Sequence, residues 1–187
     1  MVKRNLVFGL TGPNASGKGE VSKYLIKKGY KYYSLSDIVR QETKKLKLKP
    51  TRENYIYVGN LLRKKYGPSI LAKRIMKRLD TDAAVIDSIR NPYEIKELNK
   101  LDNFILIGIR APRKLRFMRI LERNRTGDSK TYKEFIDNEK KENIDNCSTN
   151  QQLRLCMKYA DVIINNNGSL EELYKKIDKI LEKYEKE

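Results

Sequence analysis

A glycine-rich segment that begins at Gly12 has the pattern of a phosphate-binding loop. From there the chain reads Gly-Pro-Asn-Ala-Ser-Gly-Lys-Gly, which places Gly12, Gly17 and Lys18 at the spacing G-x-x-x-x-G-K. In such a loop, backbone N–H groups and the N-terminus of the next helix surround a polyphosphate, and the lysine reaches its terminal phosphates. The pattern therefore predicts a site for ATP, and the expected contact residues are Gly12, Asn14, Ala15, Ser16, Gly17, Lys18, Gly19 and Glu20.

Gly19 departs from the usual form of this loop. Serine or threonine normally follows the lysine and supplies a hydroxyl group to Mg²⁺. Glycine supplies none, so the metal would depend on phosphate oxygens, water and a carboxylate from elsewhere. The alternative is a glycine-rich turn that binds nothing. It is disfavoured because an apolar strand, the loop, the lysine and a helix follow one another in the expected order.

Apolar runs and helical patterns alternate along the chain and predict the elements that carry this loop. Strands are expected at residues 5–11, 83–87, 104–109 and 161–164, with a weaker one at 32–35. Between them lie helical segments, one of which should be capped by Ser36 and Asp37. The alternation predicts an α/β protein with a mainly parallel sheet, and a length of 187 residues fits a single domain over residues 1–187.

The charge and composition limit the classes of partner. The formal net charge is +17, which attracts anionic ligands such as nucleotides or nucleic acid. The lysines are spread along the chain and form no compact stripe with aromatic residues between them. A small-molecule nucleotide is therefore the expected partner, and nucleic acid is not favoured.

Cysteine usage and hydropathy exclude other classes. Two cysteines and no histidine rule out a disulfide framework and a Cys/His zinc site. No apolar stretch is long enough to cross a bilayer, and the first apolar run ends at Gly9, too early for a signal-peptide core. We expect a cytoplasmic protein with no membrane partner. The sequence leaves its oligomeric state open.

Other charged residues stand where a nucleotide site could use them. Asp87 follows a predicted strand, and the ligands of open α/β sheets collect at the carboxyl ends of strands. An arginine run occupies a later helix, and we expect Arg119 and Arg123 to act while most of the run is solvated surface. The polar segment at residues 124–130 predicts a hinge or lid, with Arg125 as a further lid residue. The members of the run are Arg113, Arg116, Arg119, Arg123 and Arg125.

Several segments resemble those of adenylate kinases. A lysine followed by glycine is common in their phosphate loop, and Ser34-Leu-Ser-Asp-Ile-Val-Arg40 is similar to their S-x-G-D-x-x-R segment. Val85-Ile-Asp-Ser-Ile-Arg90 is similar to their D-G-x-P-R segment, shortened by one residue, and Arg119-Ile-Leu-Glu-Arg123 to their arginine pair before the lid. The stretch from Asp161 to Glu172 resembles dephospho-CoA kinases and the kinase-like domain of some deoxycytidylate deaminases. Residues 5–180 are thus most similar to an archaeal-type, adenylate-kinase-related family, often labelled dephospho-CoA-kinase-like.

This resemblance implies a fold and a set of roles. The fold would be a three-layer α/β/α P-loop domain with a five-stranded parallel sheet in the order 2-3-1-4-5, acceptor-binding helices at about residues 36–80 and a lid at about 119–145. Lys18 and Arg123 would act on the donor phosphates of ATP, with Arg119 beside them. Asp87 would orient Mg²⁺ through water. The acceptor would be held by Ser36, Asp37, Arg40 and Arg90.

The presence or absence of a catalytic base distinguishes a hydroxyl acceptor from a phosphate acceptor. A ribose hydroxyl, as in dephospho-CoA, needs a carboxylate base after the second strand, where this sequence has Ser34 and Ser36 with Asp37 beside them. A phosphate acceptor needs none, so a nucleoside monophosphate is favoured over dephospho-CoA. A different class stays open: a nucleotide-sensing or RNA-associated P-loop protein without turnover, which the charge and the missing hydroxyl at Gly19 both favour.

Overall fold

A parallel sheet of five strands organises the part of the chain that the computed structural model describes, residues 5–125, 127–142 and 147–185. The strand order is β2-β3-β1-β4-β5, and each neighbouring pair is parallel. This confirms the predicted fold and strand order. The strands are β1 (Val7–Thr11), β2 (Lys31–Ser34), β3 (Ala84–Ile89), β4 (Phe104–Arg110) and β5 (Val162–Asn165).

Helices connect and cover these strands. They are α1 (Lys18–Lys27), α2 (Leu35–Lys45), α3 (Arg52–Tyr66), α4 (Ile70–Met76), α5 (Pro92–Leu98), α6 (Arg113–Arg123), α7 (Tyr132–Lys141), α8 (Leu153–Lys158) and α9 (Leu170–Tyr184). Within the described ranges, no helix is both long enough and apolar enough to span a membrane.

The start of α2 corrects one prediction. Ser36 and Asp37 do not cap this helix; it begins at Leu35, and the side chain of Ser34 accepts a hydrogen bond from the Ser36 N–H group. The physical reason is that the backbone of Ser34 is still extended, as an N-cap residue requires, whereas Ser36 and Asp37 already lie in the first helical turn.

Two apolar cores, one on each face of the sheet, hold the three layers together. Side chains alternate between the faces of a strand, so Val7 enters one core while Phe8 and Leu10 enter the other. The first core contains residues of α2, α3, α4 and α5, and the second contains residues of α1 and α9. Both faces of the central strands are therefore buried, and the polar residues that could do chemistry collect at the carboxyl edge of the sheet.

Candidate functional site

The loop between β1 and α1 has a backbone that only glycine accommodates at two positions. Gly12 has φ +142°, and a Cβ atom there would lie 2.1 Å from the carbonyl oxygen of Ile109. Gly17 has φ +109°, and a Cβ atom there would lie 2.1 Å from Asn166 Nδ2. That same Nδ2 donates a hydrogen bond of 2.8 Å to the carbonyl oxygen of Ser16. Asn166, directly after β5, thus holds the end of that strand against the phosphate loop. Glycine is required at positions 12 and 17 because the backbone φ is positive and neighbouring atoms leave no room for a Cβ atom.

Lys18 lies buried beneath this loop. Its Nζ atom donates hydrogen bonds to the carbonyl oxygens of Gly12 (2.6 Å) and Pro13 (2.9 Å). Burial lowers the pKa of Lys18 to about 7, and the carboxylate of Asp87 opposes part of that shift. A cation held in a dry site at such a cost is stabilised by an anion, and a polyphosphate would be such a partner.

Other features of the loop also fit a polyphosphate. Gly17 is the N-cap residue of α1 and has no side chain to cap the helix, so the N–H groups at the positive end of the helix dipole are left for a ligand. The hydroxyl group of Ser16 is buried and has no hydrogen-bond partner within the described chain. Helix N–H groups, an unpaired hydroxyl and a lysine together match the donors that phosphate oxygens accept.

The loop opens onto a cleft of about 720 Å³. Most predicted site residues line it, namely Asn14, Ala15, Gly17, Lys18, Gly19, Glu20, Ser36, Arg40, Asp87, Arg90, Arg119 and Arg123. Gly12, Ser16 and Asp37 do not line the cleft. Gly12 and Ser16 belong to the loop itself, and Asp37 is bonded to Arg40.

Asp87 is turned into the cleft by an irregularity of β3. The pairing of β3 with β1 shifts register between Gly9 and Thr11, and Ser88 adopts φ +68°. The Asp87 carboxylate accepts hydrogen bonds from the Ser88 N–H group and from the hydroxyl of Tyr32 (3.3 Å). No group of three or more acidic, cysteine or histidine side chains suited to a metal occurs in the described ranges. A magnesium ion at this cleft would therefore need phosphate oxygens and water as ligands in addition to any carboxylate.

Arg40 begins the opposite wall of the cleft. It donates hydrogen bonds to Ser36 Oγ (2.9 Å) and to Asp37 Oδ1 (2.6 Å), and its side chain is 55% exposed. Its guanidinium group lies 5.9 Å from the centre of the Tyr55 ring. The segment that resembles adenylate kinases therefore supplies one exposed cation, and the neighbouring carboxylate of Asp37 is already bonded to it.

Sequence reasoning missed four charged residues in and behind this wall: Arg52, which is half-buried, and Arg63, Glu94 and Glu142, which are buried. Arg52 and Arg90 both donate hydrogen bonds to the carboxylate of Glu142. Behind them, Arg63 donates to Glu94 Oε1 at 2.9 and 2.7 Å. Among these residues, only Glu94 belongs to a pattern that the sequence shows, because Asn91-x-x-Glu94 is a capping box at the start of α5. Arg52 and Glu142 are far apart in the sequence, and no local pattern pairs them.

Gln151 was also missed. It is buried, it lines the cleft, and its Oε1 atom has no hydrogen-bond partner within the described residues. An amide oxygen in that state costs free energy unless a ligand donates to it. Sequence alone does not reveal it, because Gln151 lies in a polar segment between two helices.

Helix α6 brings arginines onto the phosphate loop. Arg123 donates to both carboxylate oxygens of Asp128 and, at 3.1 Å, to Asn14 Oδ1. The expectation that Arg116 is solvated surface was wrong: it is 5% exposed and donates to the carbonyl oxygen of Asn14 (3.2 Å) and to Glu139. The reason is that α6 packs against the loop and not against solvent along this side.

The remaining lid residues are placed only in part. Arg119 donates to the carbonyl oxygen of Asn166 at 3.3 Å, and its Nη1 atom is buried with no partner among the described atoms. Arg125 lines the cleft. Thr126, within the predicted hinge, and residues 143–145, at the end of the predicted lid, lie outside the described residues.

Comparisons with known proteins agree with this geometry. A family model described as an AAA domain matches residues 11–137. A UPF0200 protein of Pyrococcus horikoshii is 33% identical over 95% of this chain and 97% of its own length. A UPF0200 protein of Thermococcus kodakarensis is 30% identical over 92% and 95% respectively.

Solved structures show the same fold. TT1252 from Thermus thermophilus aligns with a TM-score of 0.60 at 22% identity, over 97% of this chain and 98% of its own. A shikimate kinase from Aquifex aeolicus aligns with a TM-score of 0.55 at 17% identity, over 95% and 96%. Together with the sheet order and the phosphate loop, these matches show a P-loop kinase-like fold. The chain therefore belongs to the UPF0200 family and carries an AAA-type domain of that fold.

Proposed function

We propose that this protein is an ATP-dependent phosphotransferase that moves the γ-phosphoryl group to a nucleoside monophosphate or a similar small nucleotide. The observation that carries the proposal is one cleft with two cationic walls. Lys18 and the phosphate loop form the donor wall, and Arg40, Arg52 and Arg90 form the other. Guanidinium groups suit bidentate contact with phosphate, so the second wall fits an acceptor that brings its own phosphate.

The donor wall would work by position and charge. When bound, magnesium-ATP supplies the phosphoryl group to be transferred. Lys18 and Arg123 neutralise the charge that develops on that group, and Asp87 holds the water around the metal. The hydrogen bond from Arg123 to Asn14 of the loop supports this role.

A phosphate acceptor needs no catalytic base because its oxygen is anionic near neutral pH. The carboxylates of this wall match that need, since Asp37 is bonded to Arg40 and Glu142 to Arg52 and Arg90. A hydroxyl acceptor, as in dephospho-CoA, is the second candidate. Asp37, which follows the second strand, does not line the cleft, so Asp87 in the same cleft as Lys18 is the residue that would serve it as a base.

The surrounding elements divide between the two substrates. Residues 36–80, with helices α2 to α4, would bind the acceptor, and residues 119–145, with α6 and α7, would close over ATP and exclude water. The unpaired amide oxygen of Gln151 would accept a hydrogen bond from an amino group of the acceptor base.

Product analysis tests the proposal. Purified protein is incubated with magnesium-ATP and a panel of ribo- and deoxyribonucleoside monophosphates plus dephospho-CoA. Phosphorylated product from one monophosphate is expected, and Lys18→Ala should lower its rate by at least about a hundredfold. Lys23→Ala is the matched control, because Lys23 lies on the same helix in an exposed ion pair with Glu20.

Two results would redirect the assignment. Product from dephospho-CoA alone would favour the hydroxyl acceptor. No product from any acceptor, together with RNA or DNA binding that falls steeply with salt, would replace the kinase with a nucleotide-sensing or RNA-associated protein, which the charge of +17 motivates.

A further inference from the structure

One carboxylate joins two arginines on the acceptor wall, and we call Arg52, Arg90 and Glu142 the carboxylate bridge. One oxygen of Glu142 accepts from Arg52, and the other accepts from Arg90 Nη1 at 3.1 Å. The side chain of Glu142 is 2% exposed, whereas those of Arg52 and Arg90 are 21% and 16% exposed. The bridge therefore lies in the wall of the cleft, which all three residues line, with the arginines partly exposed and the carboxylate buried between them.

The position of Glu142 in its own helix does not explain this burial. Glu142 is the C-cap residue of α7, and the C-terminal end of a helix carries partial negative charge that favours cations. The local preference thus opposes a carboxylate here, and Arg52 and Arg90 supply its stabilisation. The backbone of Glu142 is held separately, because its carbonyl oxygen accepts from the Leu153 N–H group at 3.3 Å. A rotation about its side-chain bonds would release the arginines without moving the helix.

The two arginines need an anion between them. The pKa of Arg52 is lowered to about 9, mainly because the group is buried and to a smaller extent because Arg90 and Arg123 repel it. Burial also lowers the pKa of Arg90. The backbone of Arg90 is anchored separately, because its amide N–H group donates to Glu94 Oε2 at 3.0 Å. A carboxylate offers one charge and two oxygens, whereas a phosphate group offers up to two charges and three free oxygens, so a phosphate satisfies the same pair more fully.

We infer that Arg52 and Arg90 form the binding site for the phosphate group of the acceptor, and that the carboxylate of Glu142 holds this site until the acceptor displaces it. The inference rests on the proposed function for the identity of the ligand as an acceptor. It adds a residue, Arg52, and a requirement: the acceptor must carry a dianionic group able to compete with an internal carboxylate. Unphosphorylated nucleosides would not open the bridge.

The change in phosphate affinity when the Glu142 carboxylate is removed distinguishes this competition from a purely supporting role of Glu142. If the bridge is closed in about nine molecules of ten, it reduces the apparent affinity for phosphate about tenfold. Removing the carboxylate should then strengthen phosphate binding. If Glu142 instead only held the arginines in place, its removal would weaken binding.

Isothermal titration calorimetry on Glu142→Gln measures whether phosphate binds more tightly or more weakly. Inorganic phosphate and a nucleoside monophosphate are titrated into protein saturated with magnesium and a non-hydrolysable ATP analogue, so that the phosphate loop is occupied. We expect about tenfold tighter phosphate binding than in the unmodified protein, with unchanged affinity for the ATP analogue. Arg52→Met should weaken phosphate binding. Asp137→Asn is the matched control, because Asp137 lies on the same helix in an exposed ion pair with Lys140.

Equal or weaker phosphate binding by folded Glu142→Gln would overturn the inference. Because that variant leaves two half-buried arginines without their anion, a crystal structure of the unmodified protein with a nucleoside monophosphate gives a second measure. The acceptor phosphate should contact both arginines, and the Glu142 carboxylate should have left at least one of them; an intact bridge with the phosphate elsewhere would refute it. Calorimetry needs no turnover, so failure of the kinase assay and failure of the bridge are separate results.

Discussion

The pKa of Lys18 should couple ATP binding to the uptake of a proton. Lys18 is buried beneath the phosphate loop, and its ammonium group donates to the carbonyl oxygens of Gly12 and Pro13. Burial lowers the pKa to about 7 from an ordinary value of 10.5. A polyphosphate placed beside the lysine favours its charged form and raises that pKa again. Binding at a pH above 7 therefore requires Lys18 to be protonated first.

The size of the effect follows from the pKa. At pH 8 only about one free molecule in ten carries a charged Lys18, so binding should take up about 0.9 proton. At pH 6 most molecules are already charged, and the uptake should fall to about 0.1 proton. The apparent affinity for ATP should decrease about fiftyfold between pH 7 and pH 9, because the charged fraction decreases from about one half to about one hundredth.

Calorimetry in buffers with different ionisation enthalpies measures this uptake directly. A non-hydrolysable ATP analogue with saturating magnesium is used at pH 6 and pH 8. Lys18→Arg is the matched control, because arginine keeps its positive charge across this range and should abolish the difference between the two pH values.

Two outcomes would refute the reasoning. Proton uptake at pH 8 that is close to zero would mean that free Lys18 is already charged. Equal uptake by the unmodified protein and by Lys18→Arg would assign the proton to another group.

Three further predictions concern neighbouring residues. Asp87→Asn should lower kcat at least about a hundredfold at saturating magnesium-ATP, while Asp80→Asn, an exposed partner of Lys31, should not; equal kcat values in steady-state assays would remove Asp87 from the mechanism. Glu94→Gln should destabilise the protein by about 3–5 kcal/mol in chemical denaturation, because it leaves buried Arg63 unpaired. Glu97→Gln, which breaks an exposed pair with Lys100, should cost less than about 1 kcal/mol, and similar losses from both variants would contradict this account. Gly19→Ser should lower the magnesium concentration needed for half-maximal rate about fivefold, as expected for ~1 kcal/mol from an added ligand, since a Cβ atom there meets nothing within 4 Å; an unchanged magnesium dependence would show that this hydroxyl does not reach the metal.

Much of the fold could be predicted from local patterns. Apolar runs bounded by glycine mark the strands because both faces of a parallel sheet are buried, and Thr51 and Ser169 cap α3 and α9 through their own side chains. The start of α2 could not be placed to the residue, because Ser34, Ser36 and Asp37 are all capping types and only the backbone conformation distinguishes them.

The burial of individual arginines on α6 could not be predicted from the sequence. Arg116 and Arg119 belong to one arginine run, yet packing against the phosphate loop buries Arg116 to 5% exposure. Nothing in the local spacing of the run distinguishes the two, since helical periodicity indicates a face but not what covers it.

The phosphate loop and its lysine could be identified from the amino-acid pattern alone. The donors that surround a polyphosphate are consecutive backbone groups, so the whole pattern lies in one short segment, Gly12 to Gly19. The environment of the loop and the rest of the site depend on the packed fold: the burial that lowers the pKa of Lys18, the irregularity of β3 at Asp87, and the contacts among Arg52, Arg90 and Glu142. The physical reason is that charge interactions depend on distance and burial, and these groups come from segments that are brought together only when the sheet and its helices pack.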